Sequence, residues 1–267
     1  MSRGALYRDE AVVLRTYKLG EADRIVVFLT ADRGKKRGVA KSARRLRSRF
    51  VGALEPLTHA RVAYFEKETR ELVSLNYAEP LRSPLMASGD AVGYASYFAE
   101  LLDEWSPADD PSETMYRLGT SVLDAMTDGG SAEPLARYFE YWLLRLQGVY
   151  PPHVSCHRCG EQFAGGAESG AWLSSADGIL TCASCADGAG ERRLGTRLTP
   201  GALAFLSSAR RRSPSELRDI GVSGAVLTEL EALHRGLMAR HLERELRSLR
   251  VLREMRRGPH PAAGAAE

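Results

Sequence analysis

Four cysteines carry the most specific chemistry in this chain. They lie in one 30-residue window, as Cys156-His157-Arg158-Cys159 and Cys182-Ala183-Ser184-Cys185. Each pair encloses two residues, and 22 residues separate the pairs. A C-x2-C turn aims two thiolates at one point, and two such turns complete the four-sulfur tetrahedron that Zn2+ prefers. Glycines at 160, 165, 166, 170 and 178 give the intervening chain freedom to turn. The spacing predicts one structural zinc on Cys156, Cys159, Cys182 and Cys185. A full thiolate shell leaves no position for water, which argues against a hydrolytic metal. A four-cysteine iron–sulfur cluster fits the same spacing. His153 and His157 stand nearby, but four thiolates already fill the shell.

A second chemistry lies in Arg33–Arg49. This run holds nine basic residues and no acid: Arg33, Lys35, Lys36, Arg37, Lys41, Arg44, Arg45, Arg47 and Arg49. The whole chain is only +3, yet residues 1–50 carry fourteen Lys or Arg against five Asp or Glu. That segment is therefore +9 and the remainder −6. Nothing nearby in sequence neutralises the run, so salt bridges are not expected to compensate it. The natural partner is a polyanion whose phosphates satisfy many cations at once. Tyr17, Tyr64 and Phe65 are neighbouring aromatics that could stack on bases, although aromatics on barrel strands are more often core. Only Arg158 is basic between Cys156 and Arg192, so the cysteine module reads as structural.

The elements that must position these groups change character near residue 80. Before it come five β-branched, apolar runs with turns between them: 11–17, 24–30, 39–41, 60–65 and 72–77. They predict a small antiparallel barrel, with residues 44–49 as a flexible loop beside it. After Pro80 the apolar period becomes helical. Tyr94, Phe98, Leu101, Leu102 and Trp105 mark one helix, Tyr116 to Met126 a second, and Leu135 to Leu146 a third. Thr199-Pro200 reads as an N-cap followed by Pro at the first helical position. One last long helix is expected from Gly224 to Arg257. The class is therefore α+β: a nucleic-acid-binding barrel at 1–80 and a helical domain at 81–257. The zinc module falls at 153–190 and a disordered tail at 258–267. No apolar run approaches the ~18 residues that span a bilayer, and residues 1–10 lack an apolar signal core, so the chain is expected in the cytoplasm.

The pieces in this order resemble the RecO family of recombination mediators. The resemblance rests on Val12-Val13-Leu14-Arg15-Thr16, Gly20-Glu21-Ala22-Asp23-Arg24-Ile25-Val26 and Thr30-Ala31-Asp32-Arg33-Gly34. It continues through Val39-Ala40-Lys41-Ser42-Ala43-Arg44-Arg45, Ser48-Arg49 and Leu54-Glu55-Pro56-Leu57 to Ala78-Glu79. The cysteine pairs then fall where zinc-bearing members carry theirs. Ser42 departs from the pattern, since the family usually has Gly before the basic pair. The resemblance implies an OB-fold barrel, a helical C-terminal domain with a four-cysteine zinc finger, and no catalysis. It implies binding of single- and double-stranded DNA, annealing of complementary strands, and partnership with RecR. It also implies help in loading RecA onto DNA coated by single-stranded-DNA-binding protein. The acidic C-terminal tail of that protein would dock in an apolar groove of the helical domain, near Arg-rich turns such as Arg210-Arg211-Arg212 and Arg244, Arg247 and Arg250. Such a chain would work in the nucleoid.

Two other function classes fit the residues less well. A metal-dependent nuclease or phosphotransferase needs clustered carboxylates or an open zinc. A zinc-ribbon protein of transcription or translation would read nucleic acid through the cysteine module itself.

Overall fold

β-Branched and apolar residues in the first 82 positions form five strands. In the computed structural model, which describes residues 4–87, 91–150, 155–163, 170–174, 178–189, 195–242 and 246–257, these are β1 (Gly4–Leu19), β2 (Asp23–Thr30), β3 (Gly34–Ala40), β4 (His59–Lys67) and β5 (Val73–Arg82). They close into a barrel of order β1-β2-β3-β5-β4. β1 closes the ring because it is long enough to serve two neighbours. Gly4–Val12 pairs with β4, and Ala11–Leu19 pairs with β2. A register shift between Val13 and Arg15 bends the strand between these roles. The barrel is not wholly antiparallel, as the sequence had suggested. β3 and β5 run parallel through Gly38–Ala40 and Val73–Leu75. An odd number of strands in a closed ring cannot alternate throughout, so one parallel join is obligatory.

Alternate residues fill the interior. Val13, Val26, Phe28, Val62, Tyr64 and Leu75 pack with Phe50 and Leu54, which follow the third strand. Gly38 sits at the parallel join, where an added Cβ would lie 3.0 Å from Val73 and 3.3 Å from Phe28. The outer face of β1 is also covered: a Cβ on Gly119 would meet Leu102 at 2.8 Å and Val12 at 3.9 Å.

The chain divides into two compact units, Met1–Leu123 with Arg244–Glu267, and Asp124–Glu243. Beyond the barrel, the first unit holds α1 (Ala91–Trp105), most of α2 (Glu113–Thr127) and α7 (Arg247–Arg257). α1 packs on β1, and α7 packs on α1. Glu100 of α1 accepts from the Arg247 and Ser248 backbone N–H groups at 3.3 and 2.8 Å, capping the start of α7.

The second unit contains α3 (Ala132–Leu146), α4 (Ala183–Ala189), α5 (Pro200–Arg211) and α6 (Gly224–Ala239). A small sheet of β6 (Ala171–Ser174), β7 (Leu180–Cys182) and β8 (Gly195–Leu198) has the order β7-β6-β8. Thr199 caps α5 as expected, its hydroxyl accepting from the Ala202 N–H. The single long helix expected over 224–257 is instead α6 and α7. The apolar stripe slips phase between Leu237 and Leu242: five residues turn a helix by about 500°, some 140° out of line. α6 therefore faces α3 and α5, while α7 faces α1. The tail at 258–267 lies outside the described residues.

One buried polar chain joins α3 to α6. Arg137 donates to Glu140 at 2.9 Å, and Glu231 lies 3.8 Å from Arg137. His234, fully buried, places Nδ1 2.8 Å from Glu140 and Nε2 3.1 Å from the Tyr150 hydroxyl. One neutral tautomer satisfies both contacts: Nδ1–H donates to Glu140, and Nε2 accepts from Tyr150. Burial lowers the His234 pKa, an effect that Glu140 opposes and Arg137 reinforces. The folded-state pKa thus lies below the unfolded value of about 6.5. Stability from the neutral ring is present above that value and is lost as pH falls past it. Urea unfolding midpoints are expected to drop between about pH 7 and about pH 5.5, by less in His234→Gln. Equal drops in the two proteins would remove histidine as the cause.

Candidate nucleic-acid interface and metal centre

β3 alternates strictly, so its cations split between two faces. Gly34, Lys36, Gly38 and Ala40 are buried, while Arg37 is exposed. Lys36, 8% exposed, is held by Glu66 at 2.9 Å and Asp109 at 2.8 Å. Burial alone would lower its pKa; the bonds to Asp109 and Glu66 outweigh that and hold it above its ordinary value. Lys35 turns outward, donating to the Asp103 carbonyl at 2.5 Å and pairing with the Asp103 carboxylate at 3.2 Å. Arg33 pairs with Asp9 at 3.5 Å and lies 3.9 Å from the centre of the Tyr7 ring. Arg37 meets Glu71 at 3.2 Å on the exposed face.

The basic run is therefore partly compensated, contrary to the expectation from sequence. Its acids come from β1, β4, α1 and the connections after β4 and α1, the farthest being Asp109 against Lys36. Asp103 belongs to a set with Glu100 and Glu104, all of which contact Arg15 of β1. Their spacing along α1 places them on one helix face, and that acidic stripe was the available sequence signal.

Residues 41–49 do not form a free loop. The Ser42 N–H donates to Asp23 at 2.7 Å, and the Arg44 N–H donates to the Ala22 carbonyl at 2.9 Å. The Arg44 guanidinium donates to the Gly20 and Glu21 carbonyls at 3.0 and 2.8 Å. Arg44 therefore braces the β1–β2 turn. Asp23, which reads in the sequence as no more than a turn residue, is the other brace. Ser42 sits at φ 59, the left-handed region that favours glycine. Glycine would adopt this conformation without strain, and Asp23 holds the serine in it. On the far side, Phe50 and Leu54 anchor the segment in the barrel core.

Four cations remain. Among the described residues, no carboxylate pairs with Lys41, Arg45, Arg47 or Arg49, and all four are exposed. Arg49 lies 5.0 Å from the centre of the Phe50 ring. Of the aromatics, Tyr64 is core, fully buried against Phe28 and donating to Asp9 at 3.0 Å. Phe65 is half-buried. Tyr17 is 42% exposed on the strand leading to the braced turn, and Arg15 donates to its hydroxyl.

The four cysteines converge, with all Sγ atoms within 4.8 Å of one another. The first pair forms a tight knuckle: Cys156 N–H donates to the Glu161 carbonyl at 2.8 Å, and Gly160 N–H donates to the Cys156 carbonyl at 2.9 Å. Gly160 sits at φ 77, which the turn requires. His157 N–H donates to the Leu180 carbonyl, tying the knuckle to β7. Cys182 ends β7, and Cys185 lies in the first turn of α4. Cys159 and Cys182 sulfurs are 3.7 Å apart, far beyond the ~2.05 Å of a disulfide. A four-sulfur tetrahedron with ~2.3 Å metal–sulfur bonds has edges of roughly 3.8 Å. The donor set thus fits a thiophilic ion. Burial pushes the Cys156 thiol up, but backbone N–H groups of Cys159, Cys182 and Arg158 outweigh it and bring the pKa to about 6. Cys185 is pushed up to about 12, first by the neighbouring Cys182 sulfur. Four thiols this close do not all ionise without a cation among them. His157 is exposed outside the cluster, and His153, Arg192 and Arg244 lie outside the described residues.

Among the described residues, no helix is long and apolar enough to cross a membrane. Two family models match the chain: Recombination protein O N terminal over residues 1–84, and Recombination protein O C terminal over residues 86–250. A protein named DNA repair protein RecO from Koribacter versatilis is 42% identical over 162 residues, 59% of this chain and 65% of that protein. The namesake from Geobacter metallireducens is 33% identical over 93% of this chain and 97% of its own length. That from Pelotomaculum thermopropionicum is 30% identical over 98% and 99%. The matched residues take in both the barrel with its braced basic loop and the cysteine cluster, and the chain belongs to the RecO family of DNA repair and recombination proteins.

Proposed function

We propose that this chain is a recombination mediator that binds single- and double-stranded DNA through the barrel loop and anneals complementary strands. It acts by binding, without turnover, and with RecR it assists RecA onto DNA covered by single-stranded-DNA-binding protein. The observation that carries the reading is the set Lys41, Arg45, Arg47 and Arg49. These cations pair with no carboxylate among the described residues and sit on a loop braced at both ends, so they offer a fixed cationic surface to phosphates. Arg33, Lys35, Lys36 and Arg37, each paired with a carboxylate, hold the adjoining strand in place.

One zinc on Cys156, Cys159, Cys182 and Cys185 would hold β7, α4 and the knuckle together as a structural ion. The second unit also carries a groove of about 260 Å3 lined by Leu173, Leu233, Leu237 and Arg240, among others. Leucines beside one guanidinium suit the acidic tail of the single-stranded-DNA-binding protein, and the groove's own carboxylate, Glu229, is engaged by the Thr199 N–H and hydroxyl.

One assay addresses these roles together. Labelled complementary strands coated with that protein are mixed with the chain and Mg2+. Faster annealing of full-length strands is expected, with the acceleration lost when the coating protein lacks its tail. Shortened strands would overturn the non-catalytic reading. Tail-independent acceleration would remove the groove as its dock.

A further inference from the structure

Leu46 is the most exposed large apolar side chain among the described residues, at 100%. Its surroundings set it apart from the scattered surface leucines of any protein. It lies between Arg45 and Arg47, two cations that pair with no carboxylate among the described residues. Its backbone is fixed by two consecutive turns: the Arg45 N–H donates to the Ser42 carbonyl at 3.2 Å, and the Ser48 N–H to the Arg45 carbonyl at 3.0 Å. Leu46 is the second residue of the second turn, at its apex. The stem is tied down on one side by Asp23 and Arg44 and on the other by Phe50 and Leu54. Val51, 70% exposed, adds a second apolar group beside Phe50. The loop thus holds an apolar tip in water, flanked by positive charge, on a support that needs little ordering when it binds.

We propose that Leu46 is a wedge that enters the base stack of bound nucleic acid while Arg45 and Arg47 hold the flanking phosphates. The inference rests on the DNA-binding reading and deepens it. A ligand that meets this tip must be apolar at the centre and anionic at the rim. Nucleic acid has that arrangement: base faces lie inside two rows of phosphates, and an inserted aliphatic side chain partly unstacks one step.

The test uses the full chain and a duplex carrying 2-aminopurine, whose fluorescence rises when it is unstacked. Saturating wild-type protein is expected to raise the signal about twofold or more. Leu46→Ala should bind within about threefold of wild type, with the same salt dependence, yet lose that rise; Leu46→Phe should restore it. Full retention of the rise in Leu46→Ala overturns the wedge. So does wild-type saturation with no rise, and in both cases the DNA-binding reading stands. If Arg45→Glu/Arg47→Glu binds DNA as tightly as wild type, that reading fails as well. A third arm uses phosphatidylglycerol vesicles. Vesicle binding that needs Leu46, with an unchanged 2-aminopurine signal, would assign the tip to a lipid surface and overturn the wedge.

Discussion

Replacing Arg45, Arg47 and Arg49 together by Glu is expected to weaken DNA binding on the order of a hundredfold at about 0.1 M salt, with little effect on folding. These side chains pair with no carboxylate among the described residues, so their loss leaves no buried charge behind. Each phosphate contact on duplex DNA contributes about 0.9 to the slope of log K against log salt. Losing three should flatten that slope by about two to three units, and the affinities should converge toward about 1 M salt. The loss should be the same for every sequence tested, because phosphates carry no sequence information. Lys36→Gln is the informative contrast. Lys36 is committed to Glu66 and Asp109, so its replacement should lower stability while leaving most of the slope. Reversing Arg247 and Arg250 of α7 should matter less than reversing the loop. If the α7 reversal abolishes binding and the loop reversal does not, the interface is misplaced.

Removing the metal should have the largest effect on stability. Zinc bound by small thiolate modules contributes on the order of 10 kcal/mol to their folding at neutral pH. Here β6, β7, β8 and α4 are short, of three to seven residues each. Such short elements supply little folding free energy of their own. Metal analysis of wild type is expected to give about one zinc per chain, and Cys182→Ser less than roughly a tenth of that. Hydrogen exchange should then show lost protection across 155–198, with β1–β5 still protected and the DNA salt slope unchanged. Iron and sulfide in place of zinc would reassign the centre to a cluster. A full complement of zinc in Cys182→Ser would show that the four thiolates are not the ligand set.

The convergence of the four cysteines was legible in the sequence, because each C-x2-C pair brings two thiols together locally. What brings the two pairs together is the contact of the knuckle with β7, where the His157 N–H donates to the Leu180 carbonyl. The five strands were also legible, although β1 starts at Gly4 rather than Ala11, β3 spans Gly34–Ala40 rather than 39–41, and β5 runs on to Arg82. The first half of β1 is exposed or half-buried throughout, and pairing with β4 makes it a strand, not propensity. The basic run was found as a group but not sorted. Which cations are free depends on Glu66, Asp103 and Asp109, and no local pattern ties them to Lys35 or Lys36. Arg44 looked like its neighbour Arg45, yet one braces a turn and the other faces water. The split of the last helix was missed, although the five-residue step from Leu237 to Leu242 was its signal.

The position of α7 has a consequence for synthesis. This helix packs on α1, yet about 140 residues separate the end of α1 at Trp105 from its start at Arg247. At about 5–20 residues per second, the ribosome delivers α7 on the order of ten seconds after α1. Through that interval the α1 face around Gly93, which Leu252 and Met255 later meet, has no mate. The barrel unit thus begins to emerge before the second unit and is completed after it. A nascent chain stalled within α6 would carry a finished barrel beside an uncovered helix face, open to chaperones until α7 is made.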